Sequence, residues 1–153
     1  EFGPRLRCLV LGTSDLSKEL RLTPDESRLG LLAPLSWCIC AARASGLDVL
    51  DGVHLDFSDA EGFKRTCLQG RQLGFDGKTL IHPSQIEAAN EVFSPGDDAV
   101  KAAQEIIDVW NRAIADGKGI VVVRGRLVEN LHVDDARRTL ALRDAIRARR
   151  RSL

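Results

Sequence analysis

The chain has 153 residues, 44% of them hydrophobic, enough to fill one ordinary core, and its 22 basic residues balance 22 acidic ones. Zero net charge leaves no global basic field to attract a nucleic acid or an anionic lipid surface, so neither is expected as a partner. No apolar run approaches the roughly 20 residues of a membrane-crossing helix, and the expectation is a soluble, cytoplasmic protein.

The sequence contains no Met and opens on Glu1, so further sequence is expected before it; Glu1-Phe2-Gly3-Pro4 is left out of the fold reading. Cys8, Cys38, Cys40 and Cys67 show no C-x-x-C spacing. Cys38 and Cys40, two apart on a helical pattern, point about 200° away from each other, a poor chelate. All four are expected as buried, reduced thiols.

In chain order, Arg7 to Gly12 is a short apolar run closed by glycine, the pattern of a buried parallel strand. It leads into Thr13-Ser14-Asp15 at the strand's mouth. After Thr23-Pro24-Asp25, an apolar-periodic helix is expected from about Arg28 to Ser45, kinked or restarted at Pro34 and ended by Gly46. A second strand follows over Asp48 to Leu55, then a helix from Ser58-Asp59 to Gly74, then a third strand over Lys78 to Ile81. Ser84 is expected to cap a short helix reaching Phe93. Three βα units with connections long enough for parallel crossovers make up this half.

Ser94-Pro95-Gly96-Asp97 is the strongest break, dividing the chain into 1–94 and 95–153. Beyond it, Val100, Ala103, Ile107, Trp110 and Ile114 form one helical stripe over Asp98 to Ala115. Asp116-Gly117-Lys118-Gly119 turns into a strand at Ile120 to Val123, Gly125 allows another turn, and a last helix is expected over Val133 to Arg149. Trp37 and Trp110 read as core or subunit contact. The run Arg147-Ala148-Arg149-Arg150-Arg151 reads as a solvated, frayed tail, against contact with a CoA phosphate or nucleic acid. Three parallel strands cannot close an eight-stranded barrel and leave two bare sheet edges. Either more strands precede Glu1 or the sheet is small and open; the missing Met favours the first.

Three strand segments, Leu9 to Leu16 (LVLGTSDL), Leu50 to Asp59 (LDGVHLDFSD) and Gly74 to Ile86 (GFDGKTLIHPSQI), resemble the last three strands of the citrate lyase β subunit / malyl-CoA lyase family, the HpcH/HpaI aldolase-like enzymes. Asn90 to Pro95 and Gly125 to Val133 resemble its C-terminal part. The resemblance implies an α/β fold, the C-terminal portion (about strands six to eight) of a TIM-type (β/α)8 barrel, followed by a small α/β lid or oligomerisation segment. It implies Mg²⁺-dependent retro-Claisen or aldol cleavage of a malyl- or citramalyl-CoA type hydroxyacyl-CoA to a 2-oxo acid and an acyl-CoA, in a homotrimer or hexamer. A citrate lyase β-type citryl-thioester lyase and a truncated, non-catalytic binding or assembly module are the alternatives. The family's pattern for the first five strands, with a Glu metal ligand and basic CoA-phosphate residues, is absent.

A carboxylate just past a buried strand is where barrel enzymes place catalytic groups, and Mg²⁺ is commonly held by only one or two protein carboxylates. Asp15 fits that description, or it caps the next turn; the resemblance to the family's G-x-x-D pattern implies a metal ligand that supports Lewis-acid stabilisation of the oxo acid. Glu129 stands where the family's G-x-[ML]-[IV]-D pattern has an Asp acid/base reaching a neighbouring subunit. It is one methylene longer, and a lid carboxylate or helix-initiating charge is the other reading. By resemblance the backbone at Thr79, Leu80 and Ile81 lines the substrate thioester pocket. His82, held extended before Pro83, reads as a structural hydrogen-bonding group. Asp51 is a possible barrel-mouth residue, Asp59 a helix cap, and His54 a partly buried strand residue. His132 is placed to modulate Glu129.

Overall fold

A computed structural model describes residues 5–23, 25–117 and 119–152; the readings on Glu1 to Pro4, Pro24 and Lys118 fall outside them. The chain forms two compact units, Glu1–Phe93 and Ser94–Leu153.

The first unit is built on three parallel strands in the order β1 (Cys8–Val10), β2 (Asp48–Asp51) and β3 (Gly77–Lys78). Leu9 lies opposite Val49, and Asp51 opposite Lys78. The strands are shorter than the apolar runs that mark them. β2 ends at Asp51 rather than Leu55, and β3 ends before Thr79 rather than at Ile81. One ladder bond continues past the strand end, from Thr79 N–H to the Asp51 carbonyl at 3.0 Å, and then the backbones part. His54 therefore lies in the segment after β2, not in a strand. Thr13-Ser14-Asp15, just past the end of β1, forms the first turn of α1 (Thr13–Glu19).

The connection to β2 is a 3-10 turn, Leu29–Leu31, that runs into α2 (Leu32–Ala44). Pro34 neither kinks nor interrupts α2; it is the third residue, where the missing N–H costs no helical bond. Leu31, Leu35, Ile39 and Ala42, spaced four, four and three, bury one face against Val49, Leu47 and Phe75. Trp37, two residues from Leu35, turns to the opposite side and is 73% exposed, so it is no part of this core. Gly46 takes the left-handed conformation (φ 64°) just past the helix.

α3 (Ala60–Leu73) starts on Asp59, whose Oδ1 accepts Gly62 N–H at 2.8 Å. It packs Phe63 and Cys67 against Ala89 and Val92 of α4 (Ile86–Phe93). A 3-10 turn, Pro83–Gln85, precedes α4, and its cap is His82 rather than Ser84: the His82 ring accepts Ser84 N–H at 3.2 Å through Nδ1. His82 is extended (φ −143°, ψ 143°), as the following proline dictates. Cys67 is buried and Cys8 and Cys38 half-buried, but Cys40 is exposed, against expectation; none is in a disulfide.

The second unit packs α5 (Asp97–Ala115) with α6 (Asn130–Arg151) and a hairpin, β4 (Val121–Val123) and β5 (Arg126–Val128). The hairpin turns on Arg124 and Gly125, both at positive φ (49° and 76°), the geometry that suits right-twisted strands. Trp110, Val123, Val128 and Val133 form the core. Ile114 falls off the buried stripe and is exposed. The arginine run is not a frayed tail but the exposed last turns of α6. No helix of the described residues is long and apolar enough to cross a membrane.

Candidate active site

The C-terminal ends of β1, β2 and β3 converge on Asp51 and Gly52. The Asp51 side chain is fully buried, and both its oxygens accept from Arg28 Nη1, at 2.9 and 2.8 Å. Lys78 Nζ, itself buried, donates to Oδ2 at 2.9 Å, and Gly52 N–H to Oδ1 at 2.8 Å. Arg28 is held in turn by Gln69, whose Oε1 accepts from Nε at 2.6 Å, and its backbone is left-handed (φ 54°). Burial lowers the pKa of Lys78, and the facing Asp51 carboxylate opposes that shift. Burial also pushes the Cys67 thiol, on the helix above, up to about 11.

Two candidate segments are fastened to this centre. The Asp51 carbonyl accepts both the N–H and the hydroxyl of Thr79, each at 3.0 Å. Gly52 meets the side chain of Thr13 so closely that no Cβ would fit between them. Thr13 is buried in the first turn of α1, two residues before Asp15. Asp15 itself is exposed, and its carboxylate makes no hydrogen bond or ion pair among the described residues. Leu80 packs on the Phe63–Cys67 cluster, while Ile81 stays exposed. A cavity of about 620 Å³ is lined by Thr13, Ser17, Arg28, Val53, His54 and Leu55 among others; Asp15, Thr79, Leu80 and Ile81 are not among its lining residues. His54 sits edge-on to Phe63 at 5.9 Å. Asp56 accepts from the hydroxyl and the amide of Ser58, the hydroxyl bond chiefly lowering its pKa.

Glu129 belongs to the second unit and is the N-cap of α6. Its N–H donates to His132 Nδ1 at 3.1 Å, one half of a capping box, so His132 acts on the Glu129 backbone rather than simply on its charge. Magnesium fits Asp15 as one free carboxylate of the one or two such a site uses. Among the described residues no cluster of three or more His, Cys, Asp or Glu could hold a metal.

The chain matches the HpcH/HpaI aldolase/citrate lyase family over residues 3–83. It belongs to that family. It is 51% identical over 151 residues to a (3S)-malyl-CoA thioesterase of Cereibacter sphaeroides, a match covering 97% of this chain and 52% of that protein. It is 37% identical to an L-malyl-CoA/beta-methylmalyl-CoA lyase of Rhodobacter capsulatus, covering 83% of this chain and 45% of the relative. Among solved structures it is similar to CitE from Mycobacterium tuberculosis in complex with magnesium, acetoacetate and coenzyme A. That match has a TM-score of 0.66 at 26% identity and covers 86% of this chain and 50% of the other. The chain thus spans about half the length of the curated relatives it matches, and its α/β fold is part of a TIM-type barrel.

The sequence singles out none of Arg28, Lys78, Gln69 and Gln85, although Lys78 and Gln85 stand inside the Gly74 to Ile86 segment. Apart from Ile81, four residues before Gln85, their partners lie 23 to 42 residues away in the sequence, and no local period reports such pairs. The only trace was Asp51 beside Gly52, a carboxylate inside a strand next to the smallest residue.

Proposed function

We propose that the protein containing this chain is a CoA-ester enzyme acting on a malyl- or citramalyl-CoA type substrate with Mg²⁺, and that its reaction is C–C cleavage. The observation that carries the substrate class is the identity across nearly the whole chain with malyl-CoA enzymes. In this reading Asp15 supplies one carboxylate to the metal. When bound, Mg²⁺ would supply Lewis-acid stabilisation of the oxygen that becomes the carbonyl of the 2-oxo acid. The backbone of Thr79 to Ile81 lines the thioester pocket. The substrate hydroxyl gives its proton to solvent water and becomes a carbonyl, the bond to the carbon next to the thioester breaks, and that carbon keeps the electron pair as an enolate. Glu129 gives the enolate a proton, yielding acyl-CoA. A trimer or a dimer of trimers completes the assembly.

One observation favours a second reaction on the same substrate: the 51% identical relative is a thioesterase. In hydrolysis, water adds to the thioester carbonyl and the CoA thiol leaves, giving the free hydroxy acid. A single assay separates the two. The complete protein, incubated with malyl-CoA or citramalyl-CoA and Mg²⁺, releases glyoxylate or pyruvate with acetyl-CoA if it is a lyase. It releases free thiol and malate or citramalate if it is a thioesterase. Neither product set from either ester would refute the substrate class.

A further inference from the structure

Asp51 is not the only fastening at the strand ends. Gln85, 2% exposed in the turn before α4, accepts Ile81 N–H through Oε1 at 3.0 Å and donates through Nε2 to the His54 carbonyl at 3.0 Å. One partner offers only a proton and the other only lone pairs, so the amide seats one way round. With Thr79 bonded twice to the Asp51 carbonyl, the Thr79 to Ile81 segment is pinned at both ends to residues 51–54. Yet within this chain the side chains that these pinned backbones carry are uncovered. Ile81 is 49% exposed, Leu55 65% and Phe57 57%, the last with its ring stacked on His82 at 4.9 Å. Burying an amide to hold two loops while leaving their apolar side chains uncovered does little for a core. It suits a rim that has to keep its shape for a ligand.

We propose that Gln85 is a positioning residue that sets the spacing between the Ile81 and His54 to Phe57 segments, and so shapes an apolar rim that receives the thioester arm of a CoA ester. The inference rests on the hydroxyacyl-CoA reading above. Replacing Gln85 by Met keeps the volume but strands both backbone groups; replacing it by Glu keeps an oxygen for Ile81 N–H, while as a carboxylate it loses the donor to the His54 carbonyl and faces it with a second acceptor.

The test uses the complete protein, with turnover on malyl-CoA or citramalyl-CoA and, separately, Mn²⁺ binding followed by electron paramagnetic resonance. Expected is a kcat lowered on the order of tenfold or more in Q85M, as for a displacement approaching 1 Å, a smaller loss in Q85E, and Mn²⁺ affinity unchanged in both. If Q85M does not fold, Q85E is judged alone by its kcat per folded molecule. Values of kcat and KM within twofold of the wild type in the folded variants overturn the proposal, as does a parallel loss of kcat and Mn²⁺ affinity. A wild type inactive on both esters would instead refute the substrate reading, and the Gln85 role with it.

Discussion

The first unit buries an aspartate between an arginine and a lysine at its strand ends, whereas the second closes its core on Trp110, Val123, Val128 and Val133 and keeps Glu129 half-buried and the Arg124–Glu105 pair at the surface. Buried ion clusters seldom add stability over well-packed apolar residues, but removing one member is costly because it strands the others. The difference therefore marks where geometry is held by charge. In the first unit that place is the junction of the Thr13 and Thr79 segments, and in the second no comparable junction exists among the described residues.

The sharpest way to break this contrast is Asp51→Ala in the complete protein. Losing the carboxylate leaves Arg28 and Lys78 without their shared partner, and urea unfolding should show about 3–5 kcal/mol of destabilisation. Arg124→Ala, by contrast, removes an exposed pair and should cost at most about 1 kcal/mol. Equal costs would mean that the two units do not differ in this respect. Asp15→Ala sharpens the contrast within the first unit. Its carboxylate is exposed and unbonded, so stability should stay within about 0.5 kcal/mol. Mn²⁺ binding should be lost and turnover should fall on the order of 100-fold or more. Undiminished activity would remove Asp15 from the metal site.

A smaller effect follows from the thiol above the cluster. The folded-state pKa of Cys67, about 11, lies above its ordinary 9.0, so between those values the folded chain binds more protons than the unfolded one. Its contribution to stability is present below pH 9 and is lost as pH rises through about 11. Lys78 acts in the opposite sense, because its pKa is lowered and the unfolded chain holds that proton more tightly just below 10.5. The Cys67 share is therefore read by difference: the melting temperature of the wild type, minus that of Cys67→Ala, should decline from pH 9 to 11. A flat difference would show the thiol to be accessible in the fold.

The parts of the fold that were legible in the sequence are those where a single residue acts locally. Gly46 and Gly74 end helices at positive φ, and Asp59 caps α3. The strand ends were not legible, because the apolar runs continue past Asp51 and Lys78 after the ladder has stopped. Trp37 shows the same limit: its apolar helix pattern is real, but only the phase relative to Leu35 and Ile39 tells which side is covered. β5 was missed because three residues, Arg126 to Val128, show no period and are a strand only through pairing with β4. For the site, Asp15 and Glu129 stood out as motif carboxylates, whereas Gln85 and the Arg28–Asp51–Lys78 cluster exist only through long-range contacts.

The smallest expected effect concerns Glu129, whose place as the N-cap of α6 would by itself account for a carboxyl there. Glu129→Ala should cost about 0.5–1 kcal/mol through the lost cap, and Glu129→Gln, which keeps an oxygen for the cap, should cost less. A capping role alone predicts that Gln restores both stability and turnover. A role in proton transfer predicts that Gln restores stability but not turnover, with kcat lowered more than substrate binding, because an amide cannot give up the proton the enolate needs. Measuring both quantities on the two variants of the complete protein decides between them, since only the chemical role separates kcat from the melting temperature.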